Sequence, residues 1–426
     1  MPDLASTLDP SDKPPCVCLI GAGTVGRAIL LDHLAHEVDV LLIDSNPTSL
    51  ETATEQATAR FPAVRVQYAP PLVSDLASLR FTISPQPGPA SPTLVIESVT
   101  EKLALKQSLF MTLRSTFGPK MILATNTSNL RVRDVFEPLR DDPNCCGLHF
   151  FMPVECRPLV ECISTASTSS TTRNTCETHA LRLKKNVLQV QDSPGFVVNR
   201  LLAPYLNQSL LILEHGVDTS NLAEAALAFG MPMPPLQLID TIGIRTAFDS
   251  GRVFWQSFPT RLDPASILSG MLKAVKSQPN HEVRFCDPVL DQPEHEVSSP
   301  QTSNIAKKVI AQYQREPRSW TINEISEMIS IPMWIEAAEV LKTRLVNDLD
   351  SVELAMRGGL GYSRPEGFFN FFDSMGSETL RHQLEHTGKL FRGLRASDEL
   401  LSCLKMTSSP TKAILRYREL TKETER

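Results

Sequence analysis

A histidine and a glutamate twelve residues apart are the first candidates for acid–base chemistry in this chain. His149 lies in the apolar run GLHFF, and Glu161 lies in the run LVEC. Pro153 and Pro158 between them predict turns, and a turn followed by a second strand would bring the two side chains together. A carboxylate that holds one imidazole nitrogen fixes the tautomer and leaves the other nitrogen to exchange a proton. The alternative, a histidine that only packs in the core, stays open because the pairing depends on geometry.

A glycine-rich turn near the N-terminus predicts a phosphate-binding site. The turn GAGTVG follows the strand-like segment VCLI and opens the helical segment RAILLDHLA. In such a turn Gly21 allows the tight bend, Gly23 lets the backbone approach a pyrophosphate, and Gly26 lets the helix pack closely on the strand. The helix N-terminus adds N–H groups and the positive end of the helix dipole. The spacing therefore predicts a dinucleotide site, and an ordinary strand-to-helix turn is the alternative. The residues of the predicted site are Gly21, Gly23, Thr24, Val25 and Gly26.

An acid at the end of the next predicted strand indicates which dinucleotide binds. Asp44 closes the run VDVLLID, 18 residues after Gly26. At that position a carboxylate accepts a hydrogen bond from the 2′-hydroxyl of the adenosine ribose. Because the same carboxylate repels a 2′-phosphate, the sequence predicts NAD as the cofactor rather than NADP.

Strands that alternate with helices must position these residues. Three more apolar runs repeat the strand pattern, at residues 91–99, 120–128 and 186–193. The alternation predicts a Rossmann-type, doubly wound parallel α/β sheet with crossover helices over residues 16–193. Residues 1–15 are rich in Pro, Asp and Ser, and we expect them to form a loose tail.

Beyond Pro194 the apolar spacing becomes helical. The segments PPLQLIDTIG and EGFFNFFDSMG both run through an apolar helical turn to Asp-x-x-Gly, so Asp240 corresponds to Asp373. An internal likeness of this kind is typical of a duplicated unit. We therefore predict an all-α C-terminal domain made of two related helical units, residues 194–304, which include a Pro- and Ser-rich linker, and residues 305–426.

The composition disfavours several classes of protein. Hydrophobic residues make up 42% of the chain and charged residues 21%, as in a globular protein. The net charge of −6 offers no basic surface for nucleic acid or an anionic membrane. No apolar run approaches the roughly 18 residues that a membrane span needs, and the N-terminus lacks the pattern of a secretion signal. We expect a cytoplasmic protein, with a peroxisomal or mitochondrial location left open.

The cysteines and histidines predict no metal site. The nine cysteines contain no C-x-x-C pair and no His/Cys cluster at zinc spacing. Reduced thiols are the simplest interpretation for an odd number of cysteines in a chain of this size. His33 and His36 fall on the first predicted helix, where we expect exposed or flanking side chains rather than ligands.

Several blocks, in order, resemble one known family. The blocks are IESVTEKLALKQSLF, NTSNL, GLHFFMPVECRPLVE, DSPGFVVNRLLAPYLN and PPLQLIDTIG. Together with the glycine turn they make the sequence similar to the NAD-dependent L-3-hydroxyacyl-CoA dehydrogenases. The resemblance is closest to the dehydrogenase part of the multifunctional fatty-acid β-oxidation enzymes, without their hydratase/isomerase half. It implies oxidation of a 3-hydroxyacyl thioester, a CoA ester, to the 3-keto product. It also implies a monomer or homodimer, since the second helical unit would cover the surface that the family uses in dimers.

The resemblance implies a role for each matching residue. His149 would be the general acid/base, and Glu161 would orient it. Ser128 would hydrogen-bond the reacting oxygen, and Asn199 would help to hold the substrate oxygens. Three further positions match residues near the cofactor ribose and the substrate, and they are Glu101, Lys106 and Asn126.

Departures from the family pattern leave the substrate open. Met152 stands where the family has a polar residue, Pro158 stands where it has a basic one, and no lysine occurs between 47 and 80. One alternative is therefore a dehydrogenase of a free hydroxy acid or of a polyketide-like thioester in biosynthesis. Another is an NAD-binding homologue without turnover. The retained His149 and Glu161 argue against the latter, because such a pair is costly to keep buried without use.

Overall fold

The computed structural model describes residues 16–62, 65–68, 80–84, 92–278, 281–287 and 301–424. The chain divides into two compact units between Phe196 and Val197. The predicted tail, residues 1–15, lies outside the described residues.

The first unit is built on one mixed sheet. Its described strands are β1 (Cys16–Ile20), β2 (Val40–Ile43), β3 (Arg65–Tyr68), β4 (Arg80–Ser84), β5 (Pro92–Glu97), β6 (Ile122–Thr125), β7 (Cys145–Phe150), β8 (Leu159–Ser164) and β9 (Asn186–Gln191). The strand order is β3-β4-β2-β1-β5-β6-β7-β8-β9. Strands β2, β1, β5, β6 and β7 are mutually parallel, whereas β4 is antiparallel to β2 and β8 is antiparallel to β7. β3 is also antiparallel to β4. The doubly wound sheet is confirmed, with three antiparallel pairings among the described strands that the alternation of strands and helices does not predict.

Helices connect these strands. They are α1 (Thr24–Ala35), α2 (Pro47–Arg60), α3 (Leu103–Phe117), α4 (Val132–Val135) and α5 (Ser170–Arg182). Every residue of β1, β2 and β6 is buried, as expected for strands covered on both faces. Because these strands are parallel, the polar residues that follow them lie together at the carboxyl edge of the sheet.

The expectation of an exposed or flanking His33 was wrong. The side chain is 1% exposed, and its Nε2 lies 3.0 Å from Nε2 of His179, which is 4% exposed. Its Nδ1 donates to the carbonyl of Ile29 at 2.7 Å. His33 lies one helical turn after Ile29, which is fully buried, so it shares the face of α1 that packs on the core. His36 is half-buried at the end of the helix.

The second unit is helical, as predicted. Its described helices are α6 (Val198–Glu214), α7 (Thr219–Phe229), α8 (Pro235–Ile242), α9 (Ile244–Ser257), α10 (Ser266–Ser277), α11 (Asn304–Tyr313), α12 (Ile322–Lys342), α13 (Leu349–Leu354), α14 (Phe368–Met375), α15 (Ser377–Thr387), α16 (Asp398–Lys405) and α17 (Pro410–Thr424). A π-helical turn, Ala355–Leu360, follows α13. Among the described helices, none combines the length and the apolarity that crossing a bilayer would require.

The internal repeat is visible in how two helices end. α8 ends at Gly243 with φ 93°, and α14 ends at Gly376 with φ 80°. Each of these glycines also begins the next helix, α9 or α15. A positive φ at this junction favours glycine, which explains why both copies have it.

Both repeated aspartates accept hydrogen bonds from backbone N–H groups. Asp240 accepts from the N–H groups of Phe285 and Cys286 at 2.7 and 2.8 Å. Asp373 accepts from the backbone N–H of Thr411 at 2.8 Å, at the start of α17. Residues 197–426 form one compact unit in the structure, so the division into two related helical units at 304/305 stays a prediction.

Candidate active site

His149 and Glu161 face each other across a hairpin. β7 and β8 pair antiparallel, and the register sets His149 directly opposite Glu161. The imidazole Nδ1 lies 2.8 Å from Oε2 of Glu161. Glu161 is 0% exposed and His149 is 5% exposed, so the carboxylate is sealed from water while the ring keeps a small accessible fraction.

This contact fixes the tautomer of the ring. A carboxylate oxygen accepts, so Nδ1–H of His149 donates to Glu161 and the lone pair of a neutral ring lies on Nε2. A ring held in this way exchanges its proton at Nε2 only. A general acid/base needs one proton-exchanging atom fixed in direction, and this pair has such an atom.

Two aromatic rings enclose the imidazole within the same unit. The ring centroid of Phe151 lies 4.5 Å from that of His149, and the centroid of Phe196 lies 5.6 Å away. Phe196 is fully buried and has φ 51°, an unusual conformation for a residue with a side chain. Apolar walls of this kind exclude water and restrict how the ring can rotate.

The turn after β6 brings polar groups to the end of β7. Asn126 Oδ1 accepts from the backbone N–H of Phe150 at 2.8 Å, and Asn126 Nδ2 donates to Ser98 Oγ at 3.3 Å. Two residues along the turn, Ser128 Oγ accepts from Asn129 Nδ2 at 3.3 Å. Asn126 thereby connects the turn to the residue that follows His149 in the chain.

Glu101 holds this turn from the other side. Its Oε1 accepts from Thr127 Oγ1 at 2.5 Å and from the backbone N–H groups of Ser128 and Asn129, each at 3.1 Å. Burial acts to raise the pKa of Glu101, but the ammonium of Lys106 and the hydrogen bonds from Thr127 and Asn129 outweigh it. The pKa of this carboxyl therefore lies below its ordinary value.

Lys106 is enclosed by the fold. It is 1% exposed, and its Nζ lies 2.6 Å from Oε1 of Glu97 and 3.2 Å from Oε2 of Glu101. Both carboxylates belong to this unit, and Glu97 is fully buried. The contact with cofactor or substrate that the resemblance implies for Lys106 stays a prediction, because these contacts already engage the ammonium.

The glycine turn has the geometry of a phosphate cradle. Gly21 has φ 108°, and a Cβ there would lie 2.4 Å from the carbonyl oxygen of Ser98. A Cβ at Gly26 would lie 2.0 Å from the carbonyl oxygen of Gly21, whereas one at Gly23 would meet nothing within 4 Å. Thr24 and Val25 form the first turn of α1, which has no side-chain cap. Helix N–H groups beside an open surface form a donor set that fits a pyrophosphate.

Asp44 is tied to this turn. Its Oδ2 accepts from the backbone N–H of Ala22 at 2.6 Å, and its Oδ1 accepts from that of Asn46 at 2.7 Å. The carboxylate is half-buried, and each oxygen has a second lone pair for a ribose hydroxyl. The residues present therefore fit the adenosine diphosphate part of NAD.

Asn199 belongs to the second unit. It lies in the first turn of α6 and is half-buried. Its part in holding the substrate stays a prediction. In the described part of the chain, no cluster of three His, Cys, Asp or Glu residues has a geometry that would hold a metal ion.

Sequence reasoning missed three residues that shape the site, Glu97, Thr127 and Phe196. Glu97 ends β5, and Thr127 follows β6. A polar residue at that edge of a parallel sheet is a signal in the sequence that could have indicated a binding site. Phe196 lies in an apolar segment, and only its position beside the imidazole distinguishes it.

Comparison with known proteins identifies the family. The NAD-binding domain of 3-hydroxyacyl-CoA dehydrogenase matches residues 16–193, and the C-terminal domain of the same family matches residues 195–287. The solved (S)-3-hydroxybutyryl-CoA dehydrogenase from Ralstonia eutropha is 26% identical with a TM-score of 0.52, covering 62% of this chain and 94% of that one.

Two longer likenesses extend over most of the chain and concern the fold alone. The 3-hydroxybutyryl-CoA dehydrogenase from Escherichia coli K12 is 20% identical with a TM-score of 0.67, covering 92% of this chain and 98% of that one. The dehydrogenase part of multifunctional enzyme 1 from C. elegans is 21% identical with a TM-score of 0.56, covering 89% and 86%. With two successive domains matched in order, the chain belongs to the 3-hydroxyacyl-CoA dehydrogenase family of NAD-dependent oxidoreductases.

Proposed function

We propose that the protein oxidises an L-3-hydroxyacyl thioester, a CoA ester, to the 3-ketoacyl thioester and catalyses the reverse reduction. The observation that carries this proposal is the 2.8 Å contact between Nδ1 of His149 and Oε2 of Glu161. Removal of the proton from a 3-hydroxyl group needs a base whose reactive atom is fixed in direction, and this pair supplies one.

Each residue of the site has its own role in the proposed reaction. His149 Nε2 takes the hydroxyl proton in oxidation and returns it in reduction, while Glu161 stabilises the charged ring. Ser128 donates to the reacting oxygen, and Asn199 contributes a further contact to the substrate. When bound, NAD supplies the acceptor for the two electrons. The glycine turn and Asp44 hold its adenosine diphosphate part.

One similar protein supports the substrate class. The Ralstonia eutropha structure is named as an (S)-3-hydroxybutyryl-CoA dehydrogenase, and (S)-3-hydroxybutyryl-CoA is a short 3-hydroxyacyl ester of CoA. We therefore take acetoacetyl-CoA as the first substrate to test.

Oxidation of NADH with acetoacetyl-CoA tests the proposal. We expect turnover by the purified protein and a loss of about 10²- to 10⁴-fold in kcat for His149→Gln, the range for general acid–base catalysis. Unchanged turnover in His149→Gln would remove the catalytic assignment. Absence of turnover with thioesters, together with tight NADH binding, would favour a homologue that binds NAD without catalysis.

One observation favours a second substrate class, a free hydroxy acid. Arg157 lies in the connection between β7 and β8, where its half-buried guanidinium donates to the carbonyl of Met152 at 3.5 Å. Burial lowers the pKa of Arg157. No carboxylate of the described residues pairs with it, and a guanidinium matches a carboxylate in a bidentate way.

Three keto substrates distinguish the two classes: acetoacetyl-CoA, acetoacetyl-pantetheine and acetoacetate. A CoA-ester dehydrogenase turns over the first fastest. A hydroxy-acid dehydrogenase turns over acetoacetate, and Arg157→Gln then raises KM for the acid without raising it for the uncharged pantetheine thioester.

The remaining expectations concern assembly and location. We propose a monomer or homodimer, and α6 packing against α12 supports a contact between the two helical units within one chain. Sedimentation that shows an obligate dimer with residues 305–426 outside the contact would contradict the monomer. A cytoplasmic location stays part of the proposal, and imaging of the tagged full chain tests it.

A further inference from the structure

Two carboxylates in the first unit, the fully buried Glu97 and the more exposed Glu101, share one ammonium. Nζ of Lys106 lies 2.6 Å from Glu97 and 3.2 Å from Glu101. Glu97 accepts in addition from Thr125 Oγ1 at 2.7 Å and from the backbone N–H of Val99 at 2.7 Å. Removing the ammonium of Lys106 leaves the buried Glu97 without its ion partner, which is costly. The three charged groups therefore hold one another in place.

Glu101, the second of these carboxylates, holds the turn after β6. Three groups of that turn donate to Oε1 of Glu101, namely the hydroxyl of Thr127 and the N–H groups of Ser128 and Asn129. Thr127 is fully buried, and its hydroxyl also accepts from the N–H of Leu130 at 3.0 Å. The Thr127 hydroxyl thus donates one hydrogen bond, to Glu101, and accepts another, from Leu130.

The turn after β6 also contacts β7, the strand that carries His149. Asn126 precedes Thr127, and its Oδ1 accepts from the N–H of Phe150 at 2.8 Å. Phe150 is the residue next to His149 in β7. Ion contacts and hydrogen bonds therefore connect Lys106 through Glu101 to the turn, and the turn is hydrogen-bonded to Phe150, the residue next to His149.

We infer that Thr127 and Lys106 are positioning residues, which act through the Glu101 carboxylate to fix Ser128 and, by way of Asn126, the end of β7 at His149. The inference rests on the proposed function and adds to it. The contacts assign Lys106 a role within the fold, in holding Glu101, and they assign a role to Thr127.

The charge on Glu101 gives the arrangement a pH dependence. Lys106, with Glu97 behind it, is the charged group that faces this carboxyl in the described part of the unit. Protonation of Glu101 weakens its attraction for the turn, so a variant that raises its pKa loses activity at a higher pH. The acid limb of the pH profile of the reduction assay measures this loss.

Thr127→Val and Thr127→Ser test the inference, with Thr172→Val as the matched control. Thr172 is also fully buried in this unit, and its hydroxyl donates to the carbonyl of Pro143 at 2.8 Å, in contacts that do not include the turn. We expect Thr127→Val to lower kcat for reduction by tenfold or more with KM changed less than threefold, and to move the acid limb of the pH profile upward. Thr127→Ser should restore both values.

The control separates positioning from general destabilisation. Thr172→Val should keep kcat and the pH profile while losing a similar amount of thermal stability. If Thr127→Val behaves like Thr172→Val, the inference is wrong. Low kcat for Thr127→Val that Thr127→Ser does not restore would contradict it as well.

Lys106→Met separates positioning from direct contact. A positioning residue lowers kcat at saturating NADH, whereas a residue that only contacts the cofactor raises the Kd for NADH and leaves saturated kcat unchanged. The latter outcome would overturn the assignment of Lys106. His149→Gln in the same assays tests the proposed function separately, because its retention of activity would refute that function whatever Thr127→Val does.

Discussion

The imidazole Nδ1 of His149 lies 2.8 Å from Oε2 of Glu161 because the two residues are direct cross-strand neighbours in β7 and β8. Side chains opposite each other in an antiparallel pair are close by construction. The pair therefore needs no long-range packing to meet, only the correct register of one hairpin.

Glu161→Gln should separate the charge of this partner from its shape. The amide keeps the volume but no longer stabilises the protonated ring, so we expect kcat to fall by roughly 10²-fold with a small change in KM. Steady-state kinetics with acetoacetyl-CoA and NADH measure it. Glu155→Gln in the same hairpin is the control, since Glu155 pairs with Arg60 on the surface. A normal kcat in Glu161→Gln would show that the carboxylate does not assist the histidine.

Two glycine substitutions should act on different properties. Gly23→Ala places a Cβ in open space, so we expect a change in unfolding free energy below about 1 kcal/mol. The same Cβ obstructs a pyrophosphate, and the Kd for NADH should rise about tenfold or more, or 1.4 kcal/mol. Gly26→Ala meets the carbonyl oxygen of Gly21 and should lose about 1–3 kcal/mol of stability. Fluorescence titration and urea unfolding check both, and tight NADH binding by Gly23→Ala would argue against the phosphate site.

Asp44→Asn should relax the choice of cofactor. Asparagine keeps an acceptor for the N–H of Ala22 but has no charge to repel a 2′-phosphate. We expect the ratio of kcat/KM for NADPH to that for NADH to rise at least about tenfold. Asp44→Ala, which also loses the bond to Ala22, is the comparison and should weaken both cofactors. An unchanged ratio in Asp44→Asn would place the selection elsewhere.

The buried pair of His33 and His179 should make stability depend on pH. Burial lowers the pKa of His33 from 6.5 to about 4, and burial lowers the pKa of His179 as well. Between these values the unfolded chain binds a proton that the folded chain does not. The stabilisation is therefore complete above pH 6.5 and is lost as the pH falls towards 4, by roughly 3 kcal/mol for His33.

Urea unfolding at pH 5 and pH 7.5 measures this effect. His33→Phe should flatten the dependence, because it removes one titrating ring from a site that also faces Lys185 and His36. His36→Gln controls for the loss of any histidine from α1. A dependence that stays equally steep in His33→Phe would mean that other groups cause it.

The sequence analysis located the residues that follow local rules. The glycine turn, Asp44 and the strands of the parallel sheet depend on short-range pattern, and the structure has them where the pattern put them. The direction of β8 was within reach, because the eight residues from Phe151 to Pro158 are too few for a parallel crossover of a dozen or more. β3 and β4 were not found, because their sequences, RVQY and RFTIS, mix polar with apolar residues and lack the continuous apolar run that marks β1 and β2.

The environments of residues whose neighbours come from distant parts of the chain were harder to predict from the sequence. His33 is buried because His179, 146 residues later, packs against it. Lys106 resembles an exposed ligand-binding lysine until Glu97 and Glu101 are seen on either side of it. The sequence of one segment does not indicate which distant residues will pack against it. These partners could therefore be identified only from the three-dimensional structure.

The hairpin of β7 and β8 has a consequence for how this protein tolerates motion and change. His149 and Glu161 lie on one short stretch of chain within the first unit, so their separation depends on the pairing of two neighbouring strands. Substitutions that leave this pairing intact should therefore leave the imidazole and the carboxylate in contact.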